Sequence, residues 1–204
     1  MDPIDKINYK GYDIEIFLDY DSQSPREWDN LGTIICFHKR YILGDNTDIG
    51  QENYHSWEDL ETFLYKKYNA LIVIPIYMYD HSGITIRTYP FPCRWDSGQI
   101  GYIYVSKKKV REEYGIQRIS KKLKRTVKTM LLSEIEVYDH YVSGDVYGYS
   151  IEDKVTEENI NSCFGFYGNG WKENGLLDYA ENAIDWHIKE IEQNIAEDRI
   201  LEIG

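Results

Sequence analysis

LIVIPIYMYDHSGITIRTYPF (71–91) carries two strands and the turn between them. Leu71 to Tyr79 is rich in β-branched residues and too short for an ordinary helix, so it reads as a strand. DHSG (80–83) has turn chemistry, and ITIRTYPF (84–91) follows as a second strand. The pair is therefore an antiparallel hairpin. Pro90 and Pro92 end the second strand or place it at a sheet edge.

Working outward, Tyr12–Leu18 alternates as a strand and Leu31–His38 reads as a more buried one. Ser56 precedes WEDLETFLYKKY, with acids in the first turn and lysines in the last, which predicts a capped helix. Beyond the hairpin, Gln99–Ser106 is a further strand, and Ser106 caps a short helix that Gly115 stops. Ser120 opens the longest helical pattern, with Leu123, Val127, Met130, Leu131, Ile135, Tyr138 and Val142 on one face. Strands are expected at 145–153 and 161–167. Leu177, Ala180, Ile184, Ile188, Ile191 and Ile195 then mark a C-terminal helix. Hairpin turns outnumber crossover helices. The expected class is α+β with a mainly antiparallel sheet, a long central helix and a C-terminal amphipathic helix. The expected organisation is one domain, 1–204, with a sheet-containing body (1–170) and the last helix (171–204) packed on it.

Charge is segregated along the chain. Residues 107–128 hold ten of the 23 Lys and Arg against only Glu112 and Glu113, about +8, while the whole chain is formally −12. Such asymmetry fits a surface that meets a charged macromolecule. The lysines open the long helix, where the dipole prefers acids, so local helix stability does not account for them. Bound nucleic acid is one use for Lys107, Lys108, Lys109, Arg111, Lys121, Lys122, Lys124 and Arg125, although the acidic remainder would repel a long polyanion. A solvated helix face is the plainer alternative. The acids of the C-terminal helix, Asp178, Glu181, Asp185 and Glu192, present the opposite option, a phosphate-like array that occupies the cationic groove of another protein.

The chain has 19 Tyr, which suit half-buried strands and contact surfaces. Three widely spaced cysteines read as reduced thiols in a cytosol. The N-terminal residues lack the cationic start and apolar core of a signal peptide. The longest apolar run, Ala70–Met78, is far short of the roughly 20 residues that span a bilayer. A cytoplasmic protein with no membrane partner is expected.

Reactive groups gather at 80–98. His81, Cys93 and Asp96 are the candidate catalytic residues of a small hydrolase or nucleotide-cleaving enzyme. In a full-length hairpin, residues 80–82 and 93–97 lie about eight strand residues, near 25 Å, apart. The dyad then requires the second strand to be short or to fold back. His38, His81, His140 and His187 each stand near an acid, but no HExxH, HxH or Cys/His spacing is present, and no metal is expected. Neither GxxxxGK[ST] nor GxGxxG after a strand occurs, so no cofactor is expected.

LGTIICFHKRYILGD (31–45), IPIYMYDHSGITI (74–86), CRWDSGQIGYIYVSKKKVREEYG (93–115), EIEVYDHYVSGDVYGY (134–149) and SCFGFYG (162–168) resemble, in this order, segments of a group of small proteins encoded by bacteriophages and prophages. The resemblance implies a phage origin and carries over no catalytic residue. Acidic early phage products without a catalytic signature are often counter-defence proteins, by analogy of gene context. The expected function is therefore inhibition of a bacterial defence nuclease or its guide complex, of anti-CRISPR or anti-restriction type. The expected partner is a host defence protein or ribonucleoprotein. Oligomeric state is left open.

Overall fold

The computed structural model describes residues 2–51, 54–154, 156 and 158–201. In chain order its elements are β1 (Asp5–Tyr9), β2 (Tyr12–Leu18), β3 (Thr33–Cys36), α1 (Trp57–Lys67), β4 (Ala70–Asp80), β5 (Ile84–Arg87), β6 (Ser97–Ser106), α2 (Lys107–Tyr114), α3 (Lys121–Ser143), β7 (Val146–Glu152), β8 (Asn159–Tyr167) and α4 (Leu176–Leu201). The class is α+β, and all strand pairings among the described residues are antiparallel. The strands form two sheets, β1-β2-β7-β8 and β3-β6-β4-β5.

The expected single body with a helix added after residue 170 divides differently in the structure. One compact unit comprises 1–23 and 144–204, the other 24–143. The physical reason is strand pairing. β2 pairs with β7, not with β3, so both chain ends build one sheet and the middle builds another. Local patterns identify strands but not partners that distant in sequence.

In the first unit, Tyr9 faces Tyr12 across a two-residue turn, with Lys10 at φ 50° and Gly11 at φ 95°. Positive φ at both positions matches the twist of a tight hairpin, which glycine tolerates. Ile14 and Ile16 of β2 are fully buried with Tyr149 and Ile151 of β7 against Leu176, Ala180 and Ile184 of α4. The three α4 residues recur every fourth position and form one apolar stripe. Each buried isoleucine contributes roughly 1.5–3 kcal/mol. Asp13 and Glu15 alternate to the other face of β2, where Lys6 lies 3.2 and 3.0 Å from them. Side chains 189–197 of α4 are all exposed.

In the second unit both sheet faces are covered. Val127, Leu131, Ile135 and Tyr138 of α3 pack on Ile72, Ile74, Ile76, Ile103 and Val105. Leu60 and Leu64 of α1 pack on the opposite face with Ile35, Tyr102 and Tyr104. The central strand β6 is therefore buried without interruption from Ile100 to Val105, as two-sided coverage requires. Gly101 is obligatory there, since a Cβ would lie 1.8 Å from the Ile35 carbonyl oxygen.

Arg26, to which the sequence assigned no role, ties the 24–45 segment to α3. Its side chain is 6% exposed, with Nε and Nη2 each 2.8 Å from an Asp45 oxygen and Nη1 3.2 Å from Glu134. Glu134 also accepts from the Leu31 N–H at 2.8 Å and the Gly32 N–H at 3.1 Å, and Asp45 from the Ile34 N–H at 2.8 Å. Charge and backbone hydrogen bonds are satisfied together, which a buried ionic cluster requires.

Candidate functional site

β4 ends at Asp80, and Ser82 and Gly83 turn the chain with φ 57° and 154°. β5 then runs for only four residues, Ile84–Arg87, instead of through Phe91. Pro90 has no N–H to give a ladder. Arg87 also pins the return segment, with its guanidinium 3.7 Å from the Phe91 ring centre and 4.1 Å from that of Tyr89. The chain therefore comes back to the turn and enters β6 with Ser97 opposite Tyr79. The Asp80 N–H donates to the Asp96 carbonyl at 2.9 Å. The 25 Å separation drawn from a full-length hairpin is thus corrected: the strand is short, and residues 80–82 and 93–97 share one end of the sheet.

His81, Cys93 and Asp96 converge there. Asp96 Oδ2 lies 3.4 Å from His81 Nδ1 and 3.7 Å from Cys93 Sγ. His81 stacks on Tyr79, which stacks in turn on Phe91. The Ser97 hydroxyl donates to the Cys93 carbonyl. Asp80 accepts from Arg40 and, at 3.4 Å, from the Tyr41 hydroxyl. The order of groups matters. A thiol nucleophile needs an imidazole between it and the carboxylate; here the carboxylate stands between thiol and imidazole. The side chains of His81 and Asp96 are 64% and 41% exposed, so water has free access. Cys36 belongs to the core instead, its thiol pushed up to about 12 by burial and then by the charge of Asp45. Among the described residues no three His, Cys, Asp or Glu side chains group as a metal site would require.

The charged candidates fall on different units. Residues 1–23 and 144–204 carry 20 acidic against 6 basic residues, a formal −14. Residues 24–143 carry 15 acidic against 17 basic, a formal +2. On α4, Asp178 and Glu192 are exposed and Glu181 is half-buried. Asp185 is neutralised locally by Lys10, 2.7 Å away, whose hydrogen bond holds its carboxyl below the usual range.

The basic stretch splits in two. On α2, Lys107 donates to Asn69 at 3.0 Å, Lys109 to the Asn30 carbonyl at 2.6 Å, and Lys108 lies 3.7 Å from Glu112. Those lysines fasten or solvate their own fold, while Arg111 is exposed. On α3, Lys121, Lys122, Lys124, Arg125 and Lys128 are exposed, and among the described residues they make no ion pair. Four of them line a groove beside β4, which sequence reading did not anticipate. Its signal was Pro75, a residue without an N–H in the middle of an otherwise strong strand.

No helix among the described residues is long and apolar enough to cross a membrane. Compared with known proteins, the chain matches no family model, no curated sequence and no solved structure.

Proposed function

We propose that this chain is a phage-encoded binding protein that inhibits a bacterial defence nuclease or its guide complex, of anti-CRISPR or anti-restriction type, inside the bacterial cytoplasm. One observation carries the reading: the acidic excess, −14, belongs to a single compact unit, while the other unit is close to neutral. A surface of that sign speeds encounter with a cationic nucleic-acid groove and competes with phosphates for it. On α4, Asp178, Glu181 and Glu192 recur at steps of about 4.5 and 16 Å along the axis. Unlike Asp185, which already serves Lys10, these three make no ion pair among the described residues.

Plating efficiency tests the reading. Expression of the protein in restriction- or CRISPR-carrying hosts is expected to raise plating of a sensitive phage at least tenfold in one of them. Reversal of Asp178, Glu181 and Glu192 to lysine should return plating to the restricted level. Unchanged plating in all such hosts overturns the proposal.

The convergence of His81, Cys93 and Asp96 supports a second reading, a small hydrolase or nucleotide-cleaving enzyme. His81→Ala and Cys93→Ala separate the two. Full counter-defence activity in both variants removes the enzyme, and its loss in both, with folding retained, removes inhibition by binding alone.

A further inference from the structure

β4 pairs with β6 from Ala70 to Tyr79, but with β5 only from Tyr77 to Asp80. Among the described residues, Leu71–Ile76 therefore has a strand neighbour on one side only. Pro75 sits opposite Tyr102 and has no N–H for that neighbour, so the pair is not hydrogen-bonded and the Pro75 carbonyl faces the open side. The two-residue period turns the backbone of Val73 the same way. Tyr65, 45% exposed, stands beside this edge and lines the groove along it.

The first half of α3 forms the opposite bank. Lys121, Lys124, Arg125 and Lys128 line a groove of about 740 Å³ together with Leu71–Pro75. They follow one another at three and four residues, so they share one helix face. Their mutual repulsion and their place at the positive end of the helix dipole both act against the helix. Stability of α3 alone does not explain them.

We propose that this groove binds an extended acidic segment of a partner protein, which joins the sheet as a strand beside Val73–Pro75 and sets its carboxylates against Lys121, Lys124, Arg125 and Lys128. The open edge selects polypeptide over nucleic acid. A strand supplies N–H and C=O groups that pair with the edge, whereas a phosphate backbone meets the cations and leaves the edge unpaired. Alternate side chains of a strand are about 7 Å apart. The cations span about 10 Å of helix axis, so acids at every second position meet them. This inference stands on the middle unit and does not depend on the role given to the acidic one.

The probe is a fluorescein-labelled ten-residue peptide that alternates glutamate with valine or threonine, measured by anisotropy at 50 mM salt against the full chain. Micromolar binding is expected, with amide shifts in NMR spectra confined to β4 and α3. Lys124→Glu with Arg125→Glu should weaken binding at least tenfold, and methylation of alternate peptide nitrogens should do the same. Absence of binding at millimolar peptide overturns the proposal. So does binding that ignores nitrogen methylation, or tighter binding of a ten-nucleotide single-stranded DNA, either of which makes the groove a general polyanion surface.

Discussion

The two units solve the same problem with opposite uses of charge. The unit built from both chain ends has a covered face, where α4 packs on Ile14, Ile16 and Ile151, and it keeps its ion pairs at the surface, Lys10–Asp185 and Lys6–Asp13 among them. The middle unit covers both faces of its sheet and places Arg26, 6% exposed, between Asp45 and Glu134. Surface pairs contribute little and leave the remaining carboxylates available. A buried cluster fixes one arrangement and cannot lose a member cheaply. The two units therefore tolerate change at different places. The exposed acids of α4 in the first can be altered at small cost to folding, and the interior ions of the second cannot.

The largest expected effect breaks the middle unit. Arg26→Ala leaves Asp45 and Glu134 half-buried without their cation, and removal of one partner from such a cluster costs about 3–5 kcal/mol. Urea unfolding should register that loss, and hydrogen exchange should accelerate across 24–143. A loss below about 1 kcal/mol would show that the backbone donors at Leu31, Gly32 and Ile34 suffice. The next effect belongs to the first unit. Ile184 is fully buried in the α4 stripe, and Ile184→Ala should cost about 3 kcal/mol through lost burial and the cavity left behind. Its exchange signature should centre on β2, β7 and α4. Equal acceleration of both units by both substitutions would erase the distinction drawn between them.

Much of the fold was legible because it is written locally. Ser56, Ser106 and Ser120 each accept from an N–H three residues on, and Gly115 ends α2 at φ 61°. Those caps need no knowledge of the rest of the chain. β1 was missed because DKINY has few apolar residues and is exposed along much of its length. Its one signal was Lys10-Gly11, a turn pair between two tyrosines. ITIRTYPF reads as strand through residue 91, yet Arg87 stacks on Tyr89 and Phe91 and the ladder stops. That misjudged length is why His81 and Asp96 were expected far apart. The Arg26 cluster was illegible for another reason: Glu134 is 108 residues away, and no periodicity links them. The division of acids and bases was legible as a number along the chain. Its assignment to separate units required the β2–β7 pairing.

The smallest predicted effect sharpens the comparison through pH. Lys10 holds the Asp185 carboxyl below its ordinary range, and Asp185 in turn raises Lys10. A depressed carboxyl contributes stability above its unfolded value, near 3.9, and loses it as pH falls through the folded one. A raised ammonium contributes below its unfolded value, near 10.4, and loses it as pH rises through the folded one. The pair therefore acts between about pH 4 and pH 10. Asp13 behaves likewise, lowered first by Lys154 and then by Asn8. The alkaline side does not separate the units, because burial pushes Cys36 in one and Tyr147 in the other up to about 12. The acid side probes these two carboxylates of the first unit. Lys10→Met should lower stability slightly at pH 7, and the gap from the parent should close as acid protonates Asp185 in both the folded and the unfolded state. A gap that persists after Asp185 is protonated would mean that the lysine acts through the Tyr9 ring, 5.1 Å from its Nζ, and not through Asp185.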